Sequence, residues 1–108
     1  MFKIARNPEF THDIIVMVPV DNGHDEQKLR TRFRVLSADE ITAHDFASPQ
    51  GIEAYLRDIV VRFEDVVDED GKAMNEDETK TRLLGIGFVR QALLTHYGEA
   101  LRKAKTGN

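Results

Sequence analysis

Apolar and charged residues alternate strictly between positions 28 and 35. One face of this segment carries Leu29, Thr31, Phe33 and Val35, and the other carries Lys28, Arg30, Arg32 and Arg34. A period of two residues is typical of a strand that buries one face. Residues 12–20 are dense in β-branched side chains and lead into a turn-forming segment at 21–25. The two patterns predict an antiparallel β-hairpin, and residues 2–4 are a candidate third strand because an isolated hairpin is only marginally stable.

Start signals for helices follow the hairpin. Ser37 and Glu40 form a capping-box pattern, which predicts a short helix that ends before Ser48. Pro49 after Ser48 predicts a second helix start, because proline at the first helical position loses no hydrogen bond. Apolar residues then recur at helical spacing, at Ile52, Tyr55, Leu56, Ile59, Val60 and Phe63. We expect this central helix to pack its apolar stripe on the inner face of the hairpin.

Two more helices are predicted in the second half of the chain. After a brief extended segment at 66–67 and a turn at 70–71, Asn75 and Glu78 have the spacing of a cap, and Gly85 stops that helix. The last helix is predicted from about 88 to 102, with a basic tail at 102–108 that suits the negative end of the helix dipole.

The predicted fold class is α+β. An N-terminal antiparallel β-hairpin or small sheet packs against a C-terminal group of three to four helices. Residues 1–108 form a single domain, with a hairpin region at 1–36 and a helical region at 37–104.

Composition narrows the classes of protein that the chain can represent. With 108 residues, 41% apolar and 31% charged, it has the size and balance of one soluble globular domain. The absence of cysteine excludes disulfides, thiolate catalysis and cysteine-based zinc sites, and suits a reducing cytoplasm. The longest apolar run, 14–20, is too short to cross a bilayer, so no membrane partner is expected. A net charge of −4 disfavours a polyanionic partner.

The candidate chemical motifs do not assemble into a catalytic site. When Gly71 is aligned with the invariant glycine of an EF-hand loop, Val66 and Asp77 fall at positions one and twelve, where the essential ligands belong. The four histidines are scattered without a zinc-hydrolase pattern. A small hydrolase would need a metal or a paired site that the sequence does not display. We predict a binding protein, not an enzyme, with no metal and no cofactor.

The basic face of the predicted strand, Lys28, Arg30, Arg32 and Arg34, has two interpretations. It can be a solvent-facing surface whose charges pair with neighbouring Asp and Glu and discourage edge aggregation. It can also bind an acidic partner surface or nucleic acid. The second interpretation makes a small nucleic-acid-binding regulatory protein the alternative function.

Four motifs occur along the chain in a particular order. Thr31-Arg32-Phe33-Arg34-Val35 ends the hairpin, a helix of the form Tyr55-Leu56-Arg57-Asp58-Ile59-Val60-Val61 follows, then an aromatic with a valine-rich acidic turn at 63–71, and a final helix at 89–100. In this order and spacing the chain resembles the tail assembly chaperones of long-tailed bacteriophages and prophages. It departs from them at two places. Many relatives carry tryptophan in place of Phe63, and they have a Pro-Phe-Ser-like segment at the start of the next helix in place of residues 73–75.

The resemblance implies a protein that binds the long, helical tape measure protein in the host bacterial cytoplasm. Such a chaperone keeps its client soluble until tail-tube subunits polymerise around it, and it is absent from the mature virion. Further implied partners are other copies of the chain in a homo-oligomer, a longer frameshifted form of itself, and the tail-tube protein.

A chaperone for a helical client needs an exposed apolar groove, because helix-in-groove binding uses apolar anchors at helical spacing. We place this groove on the helices, at Leu83, Leu84, Ile86, Phe88 and Leu94. The alternative is that all five side chains are buried, since large apolar patches on monomers are uncommon.

Overall fold

The computed structural model describes residues 1–105, with side chains as far as residue 103. The elements in chain order are β1 (Glu9–Val20), β2 (Gly23–Arg34), α1 (Ala38–Thr42), α2 (Pro49–Ile59), β3 (Val60–Glu64), α3 (Glu76–Leu84) and α4 (Gly87–Lys105). The strands form one antiparallel sheet in the order β1-β2-β3. The predicted α+β class is therefore confirmed. The end of the predicted basic tail, 106–108, lies outside the described residues.

The hairpin is confirmed and is longer than predicted. β1 and β2 pair along their whole length, from Glu9 opposite Arg34 to Val20 opposite Gly23. Only two residues connect the strands, and Asn22 takes a left-handed φ of 63°, which asparagine tolerates better than most residues. At about 3.4 Å per residue, a twelve-residue strand extends about 40 Å. The far end of the hairpin therefore projects well beyond its base.

The third strand is β3, and the prediction of a strand at 2–4 was wrong. α2 ends at Ile59, and the residues that follow it, predicted as the last turn of that helix, pair instead with the base of β2. Val60 and Val61 are β-branched and favour a strand once the chain reaches the sheet. Val60 and Phe63 are both buried, as their spacing predicted, but they belong to a strand and not to a helix.

A bulge explains why a strand could imitate helical spacing here. The register between β2 and β3 shifts between Arg32 and Phe33. As a result, Phe63 lies opposite Thr31 and Val60 lies opposite Phe33, although the two β3 residues are three positions apart. In a regular strand, residues three apart point to opposite faces.

Phe33 lies at the centre of the core. Its side chain is fully buried, with ring centroids 5.5 Å from Phe10 and 5.2 Å from Tyr97. α4 lies along β1 and buries residues at helical spacing, namely Val89, Leu93, Tyr97 and Ala100. α2 makes the predicted contact with the sheet through Leu56 and Ile59, but α4 covers more of it.

The predicted helix starts are confirmed. Ser37 Oγ accepts from the Glu40 N–H, and the Glu40 carboxylate accepts from the Ser37 N–H, which completes the capping box. The side chains of Ser48 and Asn75 each accept from the N–H three residues downstream. Gly85 caps the end of α3, also as predicted.

Two glycines provide a matched test of this packing. A Cβ added at Gly51 would lie 1.8 Å from the carbonyl oxygen of Asp45, whereas one added at Gly98 would meet nothing within 4 Å. We expect Gly51→Ala to lower the free energy of unfolding by about 1–3 kcal/mol or more, because backbone must move. Gly98→Ala in α4 should raise it by roughly 0.5–1 kcal/mol. Urea unfolding of both variants checks this, and equal effects would contradict it.

Tyr97 predicts a specific loss of stability at alkaline pH. Burial raises the pKa of its hydroxyl to about 12, and the hydroxyl donates to the Arg34 carbonyl oxygen at 2.8 Å. Because the folded state favours the neutral phenol, this contribution is complete below pH 10 and is lost as pH rises from 10 to about 12.

Tyr97→Phe should therefore cost about 1 kcal/mol at neutral pH, through the lost hydrogen bond. Its stability should then fall less steeply than that of the wild type between pH 10 and 12. Thermal unfolding at a series of pH values checks this, and identical slopes for the two proteins would contradict it.

Candidate interaction groove

An apolar groove lies between the far half of the hairpin and the α3–α4 turn. It has a volume of about 350 Å³. The apolar side chains that line it come from three places: Val16, Val18 and Leu29 on the hairpin, Val66 and Val67 after β3, and Leu83, Ile86, Phe88 and Val89 around the turn. We call this site the groove.

The groove exists because β3 is much shorter than β2. β3 pairs only with residues 30–33 of β2, and the chain then leaves the sheet at Asp65, which has a left-handed φ of 58°. No described strand continues beside β2 toward the hairpin tip. Beyond that point the inner face of β1 is apolar, with Val18 only half-buried, while Gln27 and Asp25 lie opposite Val16 and Val18 on β2.

Hydrogen bonds to the backbone hold the turn that forms the opposite wall. The Ile86 carbonyl accepts from the N–H groups of Val89 and Arg90, at 3.1 and 3.0 Å. The Arg90 guanidinium donates to the Leu84 carbonyl and, at 2.6 Å, to the carboxylate of Glu53 on α2. The wall is therefore tied to a second helix, which favours a preformed groove over one that must be ordered on binding.

Glu53 connects this wall to the rest of α2. Its carboxylate accepts from Arg57 at 3.2 Å as well as from Arg90. Hydrogen bonding from Arg57, together with the charge of Arg90, holds the pKa of Glu53 below its usual value. Glu53 therefore stays ionised over a wider pH range than a free glutamate.

A smaller recess continues the groove past Val67 toward the acidic turn. It has a volume of about 120 Å³ and shares Val66, Val67, Leu83 and Ile86 with the groove, while Met74 and Thr79 add new surface. Val67 forms an isolated bridge with Ala73, yet its side chain is 56% exposed. The combined surface is therefore longer than the groove alone.

The acidic turn satisfies its own polar groups. Asp68 Oδ1 accepts from the N–H groups of Asp70 and Lys72, at 2.9 and 3.0 Å, and Gly71 takes a positive φ of 79°. This is the geometry of a tight, side-chain-capped turn. Within the part of the chain that the structure describes, no group of three or more His, Asp or Glu is placed to hold a metal ion.

The five apolar residues predicted to form a partner site divide into three groups. Leu83 and Ile86 are half-buried and line the groove, and Phe88 stands at its rim with 37% of its surface exposed. Leu84 is in the core, with 1% exposed. Leu94 is 37% exposed on the outward side of α4 and is not part of the lining. Three of the five residues therefore lie at the groove, and their role in partner binding stays a prediction.

The basic strand face is largely compensated by carboxylates. Arg30 lies 3.2 Å from Glu64 and 3.7 Å from Asp13, Arg32 lies 3.3 Å from Glu9, and Arg34 lies 3.8 Å from Asp58. Lys28 is the exception, because it lies opposite Ile15 and lines the groove. This arrangement favours the solvent-facing interpretation of the stripe, and nucleic-acid binding stays an untested alternative.

Sequence reasoning missed the hairpin and post-strand walls of the groove. Val16 and Val18 were placed in the first strand of the hairpin with no face assigned, and Val66 and Val67 in a brief extended segment. Their place in a groove depends on where β3 ends, and the periodicity of the sequence did not reveal that β3 is a strand. The valine pair beside a polar turn was the one available signal.

Comparisons of the chain with protein-family models, with curated proteins and with solved structures find no match. Among the described residues, no helix is both long enough and apolar enough to cross a membrane.

Substitution of Val67 tests whether the groove is an accessible apolar site. We expect Val67→Asp to reduce binding of an environment-sensitive apolar dye, because it puts a charge between the groove and its recess. Val67 is exposed, so the free energy of unfolding should change by no more than about 0.5 kcal/mol.

Leu94→Asp is the matched control for this substitution, since Leu94 is also exposed but lies outside the lining. It should leave dye binding unchanged. Equal losses of dye fluorescence in the two variants would contradict the assignment of the groove.

Proposed function

We propose that this chain is a tail assembly chaperone of a long-tailed phage or prophage, which acts by stoichiometric binding of the tape measure protein and uses no cofactor. The proposal joins two independent supports. One is the order and spacing of four sequence motifs, which resemble those of this family. The other is the observation that carries the proposal: an open apolar groove walled by a fixed helix turn.

The chemistry of the groove suits a helical apolar client. A helix presents anchors at three- and four-residue spacing, and a groove with apolar walls on two sides can accept them. The volume of about 350 Å³ lies at the low end of the ~300–1000 Å³ typical of binding pockets. One copy therefore covers only a short stretch of a long client, and several copies are needed along it.

The proposal carries further expectations about context. The protein acts in the cytoplasm of the host bacterium and is absent from the mature virion. A longer frameshifted form and the tail-tube protein are additional partners, and the chaperone is a homo-oligomer. The compensated arginines of β2 are then a solvent-facing surface on the central strand, with β1 and β3 paired on either side of it.

Co-expression with the tape-measure-like protein encoded nearby tests the proposal. We expect a soluble complex with at least one copy of this chain per client. Val67→Asp should lower client recovery because it places a charge in the apolar lining, whereas Leu94→Asp should not.

An insoluble client with no co-purification of the wild-type chain would contradict the proposal. DNA binding measured at several salt concentrations tests the alternative function. A steep loss of affinity with salt that disappears when Lys28, Arg30, Arg32 and Arg34 are replaced by glutamine would favour the nucleic-acid-binding regulator.

A further inference from the structure

The first eight residues form an arm outside the helices and strands that carries two exposed apolar side chains. Phe2 and Ile4 are 90% and 93% exposed, and residues 1–8 contain no helix or strand. When a chain is extended, side chains that are two residues apart, as Phe2 and Ile4 are, point to the same side. We call residues 1–8 the arm. It presents a two-residue apolar anchor that nothing in the described part of its own chain covers.

The arm begins from a fixed point at the base of the hairpin. The Asn7 side chain donates to the Val35 carbonyl at 3.1 Å and to the Glu40 carboxylate at 2.7 Å, and the Pro8 carbonyl accepts from the Val35 N–H at 2.9 Å. Asn7 also takes a left-handed φ of 47°, which turns the chain out of line with β1. The arm is therefore anchored at one end and projects from the body.

The arm is basic, and the recesses beside the groove are acidic. The arm carries Lys3 and Arg6 and no acidic residue, and among the described residues neither base forms an ion pair. The groove itself is lined by one acid and one base, Asp65 and Lys28, while the recesses next to it add Asp68, Glu69 and Glu76 against Arg82, which pairs with Glu69 at 3.7 Å. Charge complementarity of this kind steers docking and fixes the partner's orientation.

The arm cannot fill the groove of its own chain. From the anchored Asn7, Ile4 reaches at most about 11 Å and Phe2 about 18 Å, at the ~3.6 Å per residue of a fully extended chain. Pro8 pairs with Val35 at the base of the hairpin, and Val16 on the hairpin wall of the groove lies eight residues further, about 27 Å. Leu29, at the near end of the groove, lies six residues from Val35, about 20 Å. An arm of the same chain therefore reaches at most the near end, and an arm that lies along the whole groove must come from another molecule.

We propose that the arm of a second copy of this chain occupies the groove, with Phe2 and Ile4 as its apolar anchors and Lys3 and Arg6 facing the carboxylates around it. The contact follows from the arm and the groove and does not rest on the tape measure protein as client. Because the arm lies at the base of the hairpin and the groove toward its tip, the contact joins different surfaces of the two copies.

Cysteine cross-linking tests the contact directly, because the natural chain has no cysteine. Full-length Ile4→Cys is mixed with a size-tagged Val67→Cys chain under mild oxidation. We expect a mixed disulfide between the two chains. Thr95→Cys, exposed on α4 and outside the lining, replaces Val67→Cys as the control and should give far less product. Equal yields with the two partners would overturn the proposal.

Sedimentation of the uncross-linked protein gives an independent measurement. The wild-type mass should rise with concentration, and Phe2→Ser with Ile4→Ser should weaken self-association by on the order of tenfold or more. The matched control replaces another exposed pair, Phe46→Ser with Ile41→Ser, which should leave association unchanged.

A wild type that stays monomeric at every concentration, or association that survives loss of the arm anchors, would overturn the proposal. Failure of the proposed function is a separate result. In that case the client is not recovered by the wild-type chain, while the arm variants still lose self-association.

Discussion

The mismatch in length between β2 and β3 is the constraint on which the rest of the structure depends. β1 and β2 pair over twelve residues each, but β3 covers only the base of β2. At the base, the third strand lets Phe63 be buried together with Phe33, which packs against Tyr97 of α4. Toward the tip, the same inner face loses its neighbouring strand, and the α3–α4 turn only partly replaces it. One feature thus produces both the closed core and the open groove.

The two faces of the sheet differ in chemistry, and this difference directs recognition. On the outer face, arginines of β2 meet carboxylates from β1, from β3 and from α2 at distances below 4 Å. Exposed pairs of this kind contribute little to stability, about 0–1 kcal/mol each, but they leave little net charge for a partner to bind. Toward the tip, the inner face is apolar along β1 and faces the wall formed by the α3–α4 turn. We therefore expect a partner to bind more strongly in the groove than on the basic stripe.

The sequence predicted those parts of the fold that depend on local chemistry. The alternation around Phe33 and the caps at Ser37, Ser48 and Asn75 were read correctly, because each depends on residues close together in the chain. β3 was missed because a bulge gives Val60 and Phe63 helical spacing, and a bulge is set by the partner strand. The lining of the groove was anticipated in part for the same reason. Leu83, Ile86 and Phe88 lie on or between the predicted helices, whereas Val16 and Val18 line a groove only because β3 ends early.

We propose that this protein binds its partners in the groove. Methyl NMR of the chain, alone and in complex with the tape-measure-like protein, tests this proposal. We expect the methyl signals of Val67, Leu83 and Ile86 to shift on binding, while those of Leu94 stay in place. Shifts confined to Leu94 and the outward side of α4, with the groove methyl signals unchanged, would contradict it.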